Sequence, residues 1–242
     1  MRYIVMHKVD AVMEAGGPPD QSIIDDMGKL VQGSLKEGVF LNGAGLHGSK
    51  KRVRLEHSGG EFKLSHGPYQ GKNELVAAFT MISAPSLEAA VSHAKTLARS
   101  LGDVEIEVGP VVEPWDLGIM PKPEGKLPER FLLLTKATSQ DELGGTSAKH
   151  AAAVKKLSES FDNDGSVLAA DSLAPSKNGW RSAPAAPGKR SWVDGPFAES
   201  KELIAGFSLL SLPGKAEVLR WADRYGDILV QCEVDVLEVN EP

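Results

Sequence analysis

The spacing of apolar residues changes period along the chain, and the changes come in the same order twice. Tyr3-Ile4-Val5-Met6-His7-Lys8-Val9 is a short run rich in β-formers and predicts a buried strand. Ile23, Met27, Leu30, Val31 and Leu35 then recur at three- and four-residue steps, with Asp25, Asp26, Lys29 and Lys36 between them. That pattern predicts an amphipathic helix, and Gly38 is placed to stop it. A strand segment opens at Val39-Phe40-Leu41. Residues 51–56 and 61–64 flank His57-Ser58-Gly59-Gly60, a hairpin signature. Residues 77–82 predict another strand; Leu87, Ala90, Val91, Ala94, Leu97 and Ala98 predict a second helix. Val104-Glu105-Ile106-Glu107-Val108 closes the series, apolar on one face and acidic on the other.

From Phe131 the series starts again. A strand at 131–137 precedes a helix carrying Val154, Leu157 and Phe161 and ending at Gly165. Trp180 and Arg181, a proline-rich tip at 183–188, and Lys189-Arg190-Ser191-Trp192-Val193 read as the counterpart hairpin. Then come a strand at 205–210, a helix with Val218, Leu219, Ala222 and Tyr225, and a strand at 230–236. Residues 66–85 and 194–213 share 8 of 20 positions when offset by 128, among them Gly67/Gly195, Pro68/Pro196, Glu74/Glu202, Leu75/Leu203 and Phe79/Phe207. Leu41, Leu46, Ser49 and Lys50 match Leu168, Leu173, Ser176 and Lys177 at an offset of 127. Between the two series, prolines 114, 121, 123 and 128 mark an extended linker. The expected organisation is a first repeat over 1–112, a linker over 113–129 and a second repeat over 130–242.

Each half therefore reads strand, helix, strand, hairpin, strand, helix, strand. This is an α+β class pattern of the ferredoxin-like kind, with helices on one face of a mainly antiparallel sheet. The first strand is apolar on both faces, so the bare sheet face also needs cover. The expected solution is sheet against sheet, half against half: two tandem repeats packed as an intrachain pseudo-dimer. A ligand pocket is then expected where the sheets meet, or at the mouth they form.

Composition narrows the function classes. The 242 residues are 41% hydrophobic, enough for a substantial core, and the net charge is −6. An acidic chain is not a general phosphate-backbone binder, so nucleic acid is not the expected partner. The single cysteine, Cys232, excludes an intrachain disulfide and fits a cytoplasmic location. No apolar run is long enough for a membrane span, and the N-terminal run is too short for a signal peptide. The six histidines show no metal-ligand spacing, there is no nucleophile elbow, and Gly43-Ala44-Gly45 lacks the rest of a dinucleotide loop. No metal or cofactor is expected.

Lys50, Lys51, Arg52, Arg54 and Lys63 in one hairpin, and Lys177, Arg181, Lys189 and Arg190 with Trp180 and Trp192 in the other, read as solvated edges. Asp194-Gly195-Pro196-Phe197, continuing to Glu202-Leu203, reads as a tight turn leading into a core strand. The weak ligand-binding candidates are His47 and His66 at strand or hairpin ends, Asp194 at the turn, and Trp192 among the basic residues.

The ten-residue stretch from Asp194 to Leu203 resembles the DGPF proteins of the YCII-related family, and Gly45-Leu46-His47 and the helix containing Trp221 fit that resemblance. The resemblance implies a ferredoxin-like, dimeric α/β-barrel fold. Single-domain relatives carry a histidine on the first helix and an aspartate near the end of the second, and some DGPF members accompany an extracytoplasmic-function sigma factor. Here the histidine position falls on Met27 and Val154, with His150 about one turn early, and Asp223 and Asp227 are out of register. In the first half His66 and Tyr69 replace the motif's Asp and Phe. The implied function is a cytoplasmic regulatory module that binds a small molecule or a protein such as a sigma factor, with homo-oligomerisation open. The alternative is a small-molecule enzyme using acid–base chemistry between the two sheets, built from His47, His66 or Asp194.

Overall fold

A computed structural model describes residues 1–125, 128–161, 165–183, 190–230 and 232–241. The elements run β1 (Arg2–Lys8), α1 (Ala11–Ala15), α2 (Gln21–Lys36), β2 (Phe40–Leu46), β3 (Val53–Ser58), β4 (Glu61–His66), β5 (Val76–Ala84), α3 (Leu87–Leu101) and β6 (Val104–Val112). They continue β7 (Glu129–Lys136), α4 (Ser139–Glu142), α5 (Ser147–Glu159), β8 (Ser166–Ser172), β9 (Trp180–Ser182), β10 (Trp192–Asp194), β11 (Ile204–Ser211), α6 (Lys215–Leu229) and β12 (Val234–Glu238). Gly38, expected to stop the first long helix, has φ +70°, and Gly59 and Gly60 turn the β3–β4 hairpin at φ +57° and +85°. The proline-rich tip lies outside the described residues apart from Ala183, as do Lys189 and Gln231. The last strand begins at Val234 rather than at 230, because α6 runs to Leu229.

The pairing is antiparallel throughout, but the sheets are not built half by half. One carries β10-β9-β12-β1-β11-β2; the other carries β4-β3-β6-β7-β5-β8. β1 pairs with β11 and β12, and β7 with β5 and β6, so each sheet draws strands from both halves of the chain. This corrects the expectation of one half packed against the other. The cause is the connection: β6 and β7 are antiparallel neighbours, so the first half leads into the second within one sheet. Leu46 pairs with Val111 and Leu173 bridges Val239, joining the sheets at both seams into a closed barrel.

Three apolar clusters follow. Ile4, Met6, Phe79, Met81, Leu132, Leu134, Phe207 and Leu209 fill the barrel. α3 and α5 cover the outer face of the second sheet through residues such as Ala94, Leu97, Ala153 and Leu157. α6, with Val218, Trp221 and Ala222, covers the first sheet. α2 shares that face but buries only Leu30 and Ser34.

One end of the barrel is closed by charge. Lys8 Nζ lies 2.7 Å from Asp235, which also takes Arg181 at 2.6 Å. Beside them Lys136 and Arg54 hold Glu74, and Arg52 holds Glu107 at 2.8 Å. The Glu74 N–H donates to the Ser200 carbonyl, and Lys8 donates to the Ser200 hydroxyl, which ties the two groups together. Burial alone would raise the Glu107 carboxyl; Lys136 and Arg52 outweigh it and hold it at about 2. Arg52 and Arg54 are therefore internal, not part of a solvated basic edge. The alternating acids of β6 and β12 likewise put Glu107 and Asp235 into this network.

The repeated Gly-Pro turn docks on a single helical turn in each half. Ser49 Oγ donates to Glu14 of α1 and accepts from the Tyr69 N–H at 3.2 Å; Ser176 Oγ donates to Glu142 of α4 and accepts from Phe197 at 3.0 Å. α1 and α4 present those carboxylates. A Cβ on Gly67 or Gly195 would sit 1.8 Å from the carbonyl oxygen of that serine, so only glycine allows the approach. Arg54 and Arg181 lie over the Tyr69 and Phe197 rings at 4.4 and 4.3 Å.

Candidate functional site

Strand alternation explains why space exists beneath α2. Ala44, Leu46, Phe207, Leu209 and Met6 belong to the barrel side, so Gly43, Gly45, Gly206, Ser208 and His7 face outward toward α2. Three of these five positions have no side chain. At Gly206 a Cβ would come 2.6 Å from His7 Cε1, and at Gly43 one would come 2.8 Å from the Phe40 ring. Above this floor the cavity measures about 560 Å³. Ile23, Ile24, Met27 and Val31 of α2 roof it, and Tyr225 and Leu229 of α6 close one side. Its rim is the Gly16–Pro19 turn and the linker residues Pro114, Asp116, Leu117 and Ile119. Interiors are otherwise close-packed, and this volume lies in the range of small-molecule sites.

Two imidazoles serve the cavity. His7 Nδ1 is 2.6 Å from the Tyr225 hydroxyl. Burial lowers His7 to about 4 and raises the Tyr225 phenol, so both are neutral at pH 7. His47 stands at the rim. Its Nε2 is 3.3 Å from Asp116 and its Nδ1 is 3.3 Å from Lys51 Nζ. Burial, then the Lys51 charge, lowers its pKa; Asp116 only partly opposes them. Arg130 is clamped by Glu113 through bonds of 2.8 and 2.7 Å. The result is an apolar chamber with a buried imidazole–phenol pair in its floor and the Arg130–Glu113 and His47–Asp116 pairs at its rim.

Of the residues singled out in the sequence, His47 lines this cavity. His66 is exposed at the end of β4, opposite Val53. Asp194 is exposed and bonded to Lys215 at 2.6 Å. Trp192 is half-buried and donates to Asp223 at 2.8 Å. The structure does not bring these three to the cavity. Among the described residues, apolar side chains fill the barrel between the sheets and the ion network lies at its mouth. Met27 lies in the cavity roof. His150 is buried under α5 against the other sheet, 3.4 Å from the Thr80 hydroxyl and lowered to about 4 by burial. His7 and Tyr225 were not legible as site residues, since one sits in an apolar strand and the other in a helix stripe. The usable signal was the alternate glycines of β2, because a glycine inside a strand marks close approach by something else. Among the described residues no three of His, Cys, Asp and Glu are grouped to hold a metal ion, and no helix is long and apolar enough to cross a membrane.

Residues 130–239 match the model of the YCII-related domain. The matched segment runs from β7 to just past β12, and its strands are divided between both sheets. No curated protein and no solved structure matches the chain.

Proposed function

We propose that this chain, which carries a YCII-related domain over residues 130–239, is a small-molecule-binding module whose ligand occupies the cavity beneath α2. The observation that carries this reading is the open space under α2: the helix buries only Leu30 and Ser34, and about 560 Å³ is left between it and the sheet. A helix whose sole role was cover would sit down on larger side chains.

We further read the chain as two tandem copies of the domain, of the DGPF kind, fused so that one polypeptide supplies both members of a dimeric barrel. The 128-residue offset and the paired Ser49–Glu14 and Ser176–Glu142 contacts support this. A cytoplasmic setting and a regulatory role beside a sigma factor rest on the DGPF resemblance. Co-purification with an extracytoplasmic-function sigma factor, lost when ligand is added or removed, tests that role.

The cavity is tested with 1-aminoanthracene, a neutral dye that fluoresces in apolar surroundings. Saturable binding to the native chain is expected, and Met27→Trp, which fills the roof, is expected to abolish it with folding retained. A second reading, acid–base catalysis on the bound molecule, is favoured by the buried His7–Tyr225 pair. It requires turnover that His7→Gln removes while dye binding survives.

A further inference from the structure

The cavity also indicates what kind of molecule it takes. His7 and Tyr225 are both neutral and share one short hydrogen bond of 2.6 Å. A phenol O–H is far more acidic than a neutral imidazole N–H, so the phenol donates and His7 Nδ1 accepts. A neutral imidazole carries one proton, and with Nδ1 accepting, that proton sits on Nε2. None of the described residues is hydrogen-bonded to His7 Nε2. His7 thus offers the cavity an N–H donor already oriented by the residues behind it.

The rim charges disfavour the other classes. Arg130 is taken by Glu113 in a two-pronged pair, and Asp116 faces His47, whose other ring nitrogen is 3.3 Å from Lys51 Nζ. An anionic ligand would have to break the first pair to reach Arg130, and a cationic one would have to displace the second and meet Lys51. The walls are largely aliphatic and aromatic, with Ile23, Met27, Phe40 and Leu229 among them.

We propose that the cavity takes an uncharged, largely apolar molecule whose carbonyl oxygen accepts a hydrogen bond from His7 Nε2–H. This rests on the reading of the cavity as a ligand site. Its specificity comes from the Tyr225–His7 pair, and Tyr225 acts as a positioning residue.

Three probes of one shape decide it on the full chain, in competition with 1-aminoanthracene: 2-acetylnaphthalene, 2-ethylnaphthalene and 2-naphthoate. The ketone is expected to bind about three- to tenfold tighter than the hydrocarbon, the worth of one neutral hydrogen bond. The carboxylate is expected to bind weaker than both. His7→Phe and Tyr225→Phe are each expected to bring ketone and hydrocarbon to near equality while the dye still binds. Equal affinities of ketone and hydrocarbon for the native protein, or preference for the carboxylate, overturn the carbonyl assignment and leave the cavity reading standing. Failure of all three probes and of the dye overturns the cavity reading itself. The native-protein comparison decides even if a variant does not fold.

Discussion

Phe79 and Phe207 stand 128 positions apart in the sequence and touch in the middle of the barrel, their ring centroids 5.0 Å apart and their planes tilted by 38°. Both are almost wholly buried among side chains of both sheets. Phe79→Ala and Phe207→Ala are each expected to cost about 3–5 kcal/mol in urea unfolding. The double variant is expected to cost less than their sum, since the two holes merge. A cost below about 1 kcal/mol for either would mean the barrel centre is not packed as described.

Glu74 is buried between Arg54 and Lys136, whereas Glu105 on the same network is partly open to water. Glu74→Gln leaves two buried cations short of a counter-charge and is expected to cost about 3–5 kcal/mol. Glu105→Gln is expected to cost less than about 1 kcal/mol. Equal effects in chemical denaturation would contradict the burial of the network.

Glycine substitutions are expected to differ in sign. Gly67→Ala and Gly195→Ala push a methyl into the carbonyls of Ser49 and Ser176 and are expected to destabilise by about 1–3 kcal/mol. Gly33→Ala, inside α2 with nothing within 4 Å of the added carbon, is expected to stabilise by about 0.5–1 kcal/mol. Thermal melts of the three variants check both.

His7 and His150 are each lowered to about 4 by burial, from an unfolded value of 6.5. Between those values the unfolded chain binds the proton and the folded chain does not, so falling pH favours unfolding. Their contribution is whole above pH 6.5 and is lost progressively toward pH 4, by about 3 kcal/mol for each ring. Glu107, held at about 2, adds its loss only at still lower pH. Unfolding free energy measured from pH 7 to 4 is expected to fall, and less steeply in His150→Leu. A profile that is flat, or that rises, would contradict neutral buried imidazoles.

The elements were legible because their periods are: β5, β11, α2, α3 and α6 fall where the apolar spacing puts them, while α5 stops at Glu159, short of Phe161. The partnership of strands was not. Tyr3–Met6 and Leu132–Leu134 announce buried strands without saying which sheet receives them, and the choice is made by β6 and β7 lying side by side. The site was hidden for a related reason. Asp194 carries the most recognisable sequence and faces solvent, while His7 looks like one more core position and is held over Gly206 by contacts from distant strands. His47 was legible because a histidine at a strand end next to glycines is a local feature.

The exchange of strands also sets an order of birth. The second sheet is written in one stretch of chain, from Val53 to Ser172, and has all its strands once that stretch has left the ribosome. The first sheet is split between the two ends: β1 and β2 are made first, and their partner β11 and the adjoining β12 come last. Until synthesis is nearly complete the N-terminal strands have open edges and no barrel to enter. Such long-range closure is slow. Premature termination between Ser172 and β11 would leave a finished half-barrel with its apolar face bare, and the cavity beneath α2 would be the last part of the protein to come into being.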